Sequence, residues 1–593
     1  WRSGTAENKA RALPLLKAAV RSYMSAANAD YLENIGIRKE LREITFAAYL
    51  EAISSTAGED ATEALGAADW VRGGTVQEAL NDAAVRAAAS TPALSDVVRR
   101  DQDARNEIKG LRSFLSGDAG SAKTPLPQIA TQMRERITVL ENQRVQLQAE
   151  IKAKFPDYER LVRPTSPSVQ QVAKQLSPDQ ALLMLLPTTD AVYVWAVTAE
   201  RPPAFARAPL SEARVDQLIG RLRRQLDFAA GGGSQFDSAA AFELYDKLLA
   251  PLAPTLQGKT QLIVAAGGNL SQIPFGILHT RANGGTGSQA PWLIKEASIA
   301  QVPSLSAWLA IKSLAKSKPA SQSFAGWGDP AFNASAAAAN ASLAQANGPL
   351  SRSVVLSRAA TLTQLDAAEL SAPVTSALKY ADIPPLPDTR DELLAIATTL
   401  HADAGSDLHL GPQATRDSVL QANKSGQLGN KRVIAFATHG LMAGDLPNLT
   451  QPALALAATG QEQTNPLAPL LTLEDVLTLK LNADWVVLSA CNTAAADGKA
   501  EEALSGLARG FFYAGSRSLL VTHWAVESES AKELTTSTFA HYAANPTAPK
   551  AESLRQAMLQ VMANPKYAHP AYWAPYALVG DGGGSAVCNK WLC

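Results

Sequence analysis

The chain has 593 residues, enough for about three domains at roughly 100–200 residues each. Hydrophobic residues make up 46% and charged residues 18%, a globular composition that excludes a disordered chain. The net charge of −1 leaves no electrostatic footprint for nucleic acid. No apolar run reaches the roughly 18 residues expected of a membrane helix. Three cysteines, Cys491, Cys588 and Cys593, are too few for a disulfide framework in the main body. Two of them lie in the Gly-rich tail 583–593, read as a flexible terminus in which Cys588 and Cys593 pair or stay free. The chain begins at Trp1, without Met, so an upstream segment is expected, whether a targeting signal or more helices. A cytoplasmic location is favoured.

Residues 1–115 read as helices. Leu13, Leu15, Leu16, Ala19, Val20 and Tyr23 recur near a 3.6 period, as do Ile35, Ile37, Leu41, Ile44, Ala47, Ala48 and Leu50. Helices over 61–71 and 76–89 follow, with Gly73-Gly74 as a break. Residues 116–164 form a long helical hairpin or coiled-coil arm: polar helices over 97–115 and 127–154 flank the turn-rich stretch Ser116 to Ser121. The second carries a thin apolar seam of Leu140, Val145, Leu147 and Ile151, and Phe155-Pro156 ends it.

From about residue 165 the pattern changes to alternating strands and helices. Paired strands are expected over 181–186 and 191–198, helices over 215–228 and 239–252, and strands over 261–266, 298–302 and from Ser323 onward. Residues 331–385 are rich in Ala, Ser, Asn and Leu with weak periodicity, and read as a long mobile insertion. A helix follows over 391–401. Strands 433–438, 485–490 and 518–524 and a helix over 500–514 complete the pattern, with Gly515 placed as that helix's C-cap. The alternation predicts an α/β sandwich with a mostly parallel sheet, preceded by an all-α region.

Two runs carry the chemistry. Val433 to Thr438 leads into His439-Gly440, and Trp485 to Ala490 leads into Cys491-Asn492-Thr493. Both are short, apolar and rich in β-branched or aromatic residues, as strands buried on both faces of a parallel sheet are. In open α/β sheets chemistry sits beyond the carboxyl ends of the strands. His439 and Cys491 are therefore a candidate base and nucleophile, 52 positions apart (491 − 439). Cys491 is the only thiol outside the tail.

Ala437-Thr438-His439-Gly440 followed by Leu488-Ser489-Ala490-Cys491-Asn492-Thr493 resembles the CHAT-domain family, the caspase- and separase-like cysteine peptidases of bacteria. Further blocks carry the same resemblance: Gly268 to His279, Ala500 to Gly515, Val521 to Val526 and His569 to Tyr576. It extends over about residues 165–582. The N-terminal helices resemble the end of a tetratricopeptide array, although two clean copies of that repeat are not visible.

The resemblance implies a caspase-like α/β/α fold in two halves: 165–330, with a pseudo-protease half as one reading, and a catalytic half, 386–582. It implies a His439–Cys491 dyad, with the backbone N–H groups of Gly440 and Cys491 binding the oxyanion. Separase-like relatives prefer a basic side chain before the scissile bond, which makes Glu527 a candidate pocket acid. Asp445 is another acid expected near the cleft, and a solvated helix cap is the alternative for Glu527. Ser489 and Asn492 are small polar neighbours, read as turn residues or as orienting groups. His523 is expected to pack beside the site. No cofactor or metal is expected, since His439, Cys491 and His523 lack any zinc-ligand spacing.

The leading expectation is a cysteine endopeptidase acting on a protein substrate, with the helical region binding a regulatory partner. The alternative is an inactive scaffold that kept the fold. A hydrolase of esters or small amides is a third reading, because acyl transfer is common to all of these sites.

Overall fold

The structure is a computed structural model. It describes residues 6–24, 36–54, 60–72, 92–116, 127–156, 167–227, 235–282, 284–314, 320–333, 380–441, 445–446, 449–462, 464–489, 507, 510–524 and 526–583. The predicted helix 76–89, most of the insertion 331–385, Cys491, Asn492 and the tail cysteines lie outside the described residues. The chain divides into two compact units, Trp1–Ala52 with Gln77–Thr165, and Ile53–Val76 with Ser166–Cys593.

The first unit is helical in its described residues. Helices α1 (Ala6–Met24) and α2 (Gly36–Ser54) meet where Tyr23 stacks on Phe46, ring centroids 6.4 Å apart. Helices α4 (Pro92–Ser116) and α5 (Pro127–Lys154) pack along Ala104, Ile108, Ile137 and Leu140. The seam on α5 runs through Leu140, Arg144, Leu147 and Ile151, at the alternating three- and four-residue steps of a helix pair. Val145, expected in the seam, is instead 65% exposed. The step from Leu140 reaches Arg144, whose Nε donates to Asp101 Oδ1 of α4 at 3.0 Å. An arginine thus fills a position that an apolar-residue count assigns to its neighbour.

Helix α3 (Asp60–Arg72) belongs to the second unit and packs against β1 (Gln180–Pro187). Asp69 accepts from the backbone N–H groups of Leu305 and Ser306, at 2.8 and 3.3 Å, and so caps helix α8 (Leu305–Leu314). The connecting elements are β2 (Val192–Thr198), β3 (Ala204–Ala208), α6 (Glu212–Leu226), α7 (Ser238–Leu248), β4 (Gln261–Ala266) and β5 (Ser298–Gln301). Then come β6 (Gln322–Gly328), α9 (Asp388–Thr399), β7 (Leu408–Leu410), α10 (Arg416–Lys424) and β8 (Lys431–Ala437). Three short strands follow: β9 (Gly440–Leu441), β10 (Ala453–Ala455) and β11 (Leu470–Thr472). The chain closes with β12 (Trp485–Leu488), β13 (Ser518–Thr522), α11 (Ser528–Ala544), α12 (Lys550–Ala563) and β14 (Tyr576–Gly580).

Among the described residues, eleven strands form one sheet in the order β3-β2-β1-β4-β5-β14-β13-β12-β8-β6-β7. β13, β12, β8, β6 and β7 are five consecutive parallel strands. β1, β4 and β5 are parallel to one another, while β2 and β3 extend that side antiparallel. β14 pairs antiparallel with β13 and so joins the two sides. The expectation of a mostly parallel sheet flanked by helices, behind a helical region, is met. β8, β12 and β13 read as continuous apolar runs because helices cover the sheet and leave almost every strand residue buried.

Of the expected helix 500–514, Leu507 and residues 510–514 are described, and these are helical. Gly515 follows with φ +110°. A Cβ there would stand 2.2 Å from the Leu481 carbonyl oxygen, so only glycine fits.

Candidate active site

The parallel strands fix where the site begins. β8 and β12 pair in register, Val433 with Trp485 through Phe436 with Leu488, and Ser489 N–H still donates to the Phe436 carbonyl at 3.1 Å. The ladder therefore runs to the carboxyl ends of both strands. β8 ends at Ala437, and the buried Thr438 donates its hydroxyl to the Ala455 carbonyl of β10. The His439 carbonyl accepts from Ala455 N–H at 2.9 Å, and Gly440 pairs with Leu454. β10 thus clamps the backbone on both sides of His439.

The imidazole of His439 is 5% exposed. Its Nε2 lies 2.9 Å from the carbonyl oxygen of Pro384. A carbonyl only accepts, so Nε2 carries the proton and Nδ1 is left with its lone pair. Burial pushes the His439 pKa below its ordinary value, against an opposing pull from the Pro384 carbonyl. The ring of Phe332 lies 5.5 Å from the imidazole, and Tyr380 meets Phe332 edge-on at 6.0 Å. Phe332, Tyr380, Ile383 and Leu441 belong to one buried apolar cluster, which walls the histidine on that side.

No side-chain signal pointed to Pro384, because its contribution is a main-chain oxygen. The run Ile383-Pro384-Pro385-Leu386-Pro387 is the trace it leaves in the sequence. Prolines have no N–H to give, and a residue before proline is held extended, so Pro384, which precedes Pro385, stays outside the helix that begins at Asp388 and its carbonyl is left to face His439.

Beyond Ser489 the expected nucleophile Cys491 lies outside the described residues, as does the neighbouring Asn492. Gly440 is half-buried at the start of β9. Asp445 is half-buried in the segment that follows. Glu527 is the N-cap of α11, and its carboxylate accepts from Ser530 N–H at 2.9 Å. That contact is the one foreseen in the cap alternative.

His523 follows β13 directly and is buried. Its N–H donates to the Pro575 carbonyl at 2.8 Å, and its own carbonyl accepts from Arg223 at 2.5 Å. Burial, with Arg223 nearby, takes its pKa down to about 3, so the ring is neutral and acts in packing. Sequence reading also passed over Asp329, just past the end of β6. It holds φ +48°, rarely populated by a residue with a side chain. Its N–H donates to Thr389 Oγ1 at 2.7 Å, and its carboxylate accepts from Arg390 Nε at 2.9 Å. Burial outweighs Arg390 and raises its pKa. Among the described residues no group of three His, Cys, Asp or Glu side chains is arranged to hold a metal ion.

A family model described as the CHAT domain matches residues 238–581. Tetratricopeptide repeat protein 28 of Mus musculus is 28% identical over 228 residues, 33% of this chain and 9% of that protein. The chain thus spans about a tenth of the length of that curated relative. Among solved structures, the Arg-specific cysteine proteinase gingipain R gives a TM-score of 0.32 at 11% identity, covering 63% of this chain and 75% of its own. The Saccharomyces cerevisiae separase–securin complex gives 0.39 at 10% identity, covering 97% of this chain and 40% of that one.

Proposed function

The chain belongs to the CHAT-domain family, and on that premise we propose that it is a cysteine endopeptidase of the caspase and separase type. One observation carries the proposal. β12 stands against β8 at an offset of 52 residues (488 − 436), and Cys491 follows His439 by the same 52 (491 − 439). The offset that pairs the two strands is thus the sequence spacing of the two reactive residues that follow their carboxyl ends, which supports a dyad of His439 and Cys491.

The chemistry follows from the tautomer. Nδ1 of His439 takes the proton of the Cys491 thiol as sulfur attacks the scissile carbonyl. The tetrahedral oxyanion is bound by the N–H groups of Gly440 and Cys491. Glycine at 440 lets substrate approach the backbone without a Cβ. The adduct collapses to a thioester, and the proton on Nδ1 passes to the departing amine. Water then attacks the thioester, giving its proton to the same nitrogen, and returns the free thiol. The Pro384 carbonyl holds the ring through both transfers and stabilises the imidazolium that forms between them.

In this reading, residues 165–330 and 386–582 are the two halves of the CHAT region, and residues 1–115 and 116–164 are the surface through which a protein partner regulates it. Glu527 and Asp445 are candidate acids for a basic substrate side chain.

The test is covalent labelling by peptidyl electrophiles carrying Arg, Lys, Leu or Asp at the residue before the reactive group, read by intact mass. Wild type labels once; Cys491→Ala does not, and His439→Ala labels far more slowly. Equal behaviour of wild type and Cys491→Ala, repeated in lysate of the native host to supply any partner, would leave the inactive scaffold as the better reading.

A further inference from the structure

Helix α9 turns one face to the sheet, and that face is Thr389, Glu392, Leu393, Ile396 and Ala397. The spacing is the i, i+3, i+4 pattern of a core-facing stripe. Four of the five residues suit it. The fifth, Glu392, is a carboxylate with 0% exposure. Burying that group costs heavily in desolvation, and an apolar residue would serve the helix better. Breaks of this kind in an otherwise consistent pattern concentrate where a protein has chemistry to do.

The carboxylate points at the strand end that leads to the nucleophile. Ser489 Oγ donates to Glu392 Oε2 at 3.3 Å. Tyr576 OH lies 3.1 Å from the same Oγ. Either hydroxyl oxygen can be the donor in that second contact. The result is a contiguous chain of Tyr576, Ser489 and Glu392, with Ser489 and Tyr576 also buried. It ties three elements. Tyr576 opens β14 and pairs with Thr522 at the carboxyl end of β13. Ser489 is the first residue after β12. Glu392 comes from the helix packed on β6 and β8.

We propose that Glu392, Ser489 and Tyr576 form a positioning brace that fixes Ser489, the residue at the end of β12 from which the chain leads to Cys491. The inference rests on the peptidase reading, since it gives the brace a nucleophile to position. Ser489 is two residues from the thiol in sequence, so where its backbone is held bears on where the thiol can sit. Apolar packing alone is not directional and would hold Ser489 loosely. Buried hydrogen bonds are directional, and moving Ser489 would cost Glu392 and Tyr576 the contacts they make with it. None of the three side chains is assigned to touch substrate; they act through the backbone of Ser489.

The experiment measures labelling of the full-length protein by the best peptidyl electrophile, separated into maximal rate and affinity, with thermal melting alongside. The variants are Glu392→Ala, Glu392→Gln, Ser489→Ala and Tyr576→Phe. Glu392→Gln keeps a carbonyl oxygen to accept from Ser489, and Tyr576→Phe removes one oxygen atom from a buried ring. Glu392→Ala and Ser489→Ala should slow the maximal rate by about tenfold or more with affinity nearly unchanged, the signature of a misplaced nucleophile. Glu392→Gln should recover most of the rate, and Tyr576→Phe should fall between. Variants that melt earlier but whose folded fraction labels at the wild-type rate would overturn the brace and leave the peptidase standing. A wild type that labels no better than Cys491→Ala would overturn both.

Discussion

The Nε2 atom of His439 donates to the Pro384 carbonyl 2.9 Å away, and this single bond decides which nitrogen keeps its lone pair. Aspartate or glutamate in that position would add charge and raise the basicity of the ring. A neutral carbonyl fixes the tautomer with much less effect on its proton affinity.

Burial then dominates, and the His439 pKa moves below 6.5. A base with a lowered pKa stays unprotonated further into acid. The acid limb of the labelling rate should therefore have its midpoint below pH 6.5 and a plateau by neutrality. Rates measured from pH 4.5 to 8 on wild type check this. A midpoint at or above 6.5 that His439→Ala abolishes would show that a charged partner, not the Pro384 carbonyl, governs the ring.

Glu527 separates two roles that the sequence left open. As N-cap of a 17-residue helix it accepts from Ser530 N–H, and Glu527→Ala should cost about 1 kcal/mol of stability. If the same carboxylate also meets a basic substrate side chain, Glu527→Gln should reduce labelling by an Arg probe at least about tenfold relative to a Leu probe, since a charge-assisted contact is lost. An unchanged Arg-to-Leu ratio would remove Glu527 from the pocket.

What the sequence made legible follows from how each feature is encoded. β8 and β12 were readable because strands covered on both faces must be apolar throughout, and Val433 to Phe436 and Trp485 to Leu488 are. β9, β10 and β11, of two or three residues each, are too short to carry a period, so the small sheet around Gly440 left no trace. Pro384 acts through a backbone atom that every residue has. Glu392 was hidden for the opposite reason: glutamate in an amphipathic helix reads as a solvent-facing residue, and only the packed helix shows it inward. Arg144 misled in the same way, and Val145 beside it took its place in the apolar count.

Acid should weaken the fold at a definable point. His279 is fully buried, 4.4 Å from the ring of Trp292 and 5.8 Å from Phe236, and neither ring nitrogen has a hydrogen-bond partner among the described residues. Burial lowers its pKa to about 4. The unfolded chain, with an ordinary value near 6.5, binds the proton first. Stability therefore falls as pH drops from about 6.5 towards 4, at up to about 1.4 kcal/mol per unit, or roughly 3 kcal/mol in all. His279→Phe keeps a flat ring among the aromatics and removes the titration. Its melting temperature should fall less than wild type's between pH 7 and pH 4.5. An equal fall would assign the acid sensitivity elsewhere, first to His523.

The hairpin of α4 and α5 carries its own test. Arg144 and Asp101 sit at 11% and 13% side-chain exposure in a seam otherwise made of Ala104, Ile108, Ile137, Leu140 and Leu147. A pair so placed is costly to desolvate, and its main effect is on register, because sliding the helices by one turn would set each charge against apolar side chains of the seam. Removing one partner takes from the other its charged counterpart. Arg144→Leu or Asp101→Leu alone should destabilise the helical unit by about 3 kcal/mol, whereas the double leucine variant should regain most of that loss. The same double variant should lose its single register. Cysteines placed for cross-linking across the native pairing, such as Glu107→Cys with Arg136→Cys, whose side chains now meet at 2.7 Å, should close quickly in wild type. In the double leucine background they should close slowly, alongside a pair offset by one turn. A double variant as destabilised as the single ones, or one that cross-links as wild type does, would show that the ion pair contributes stability and does not set the register.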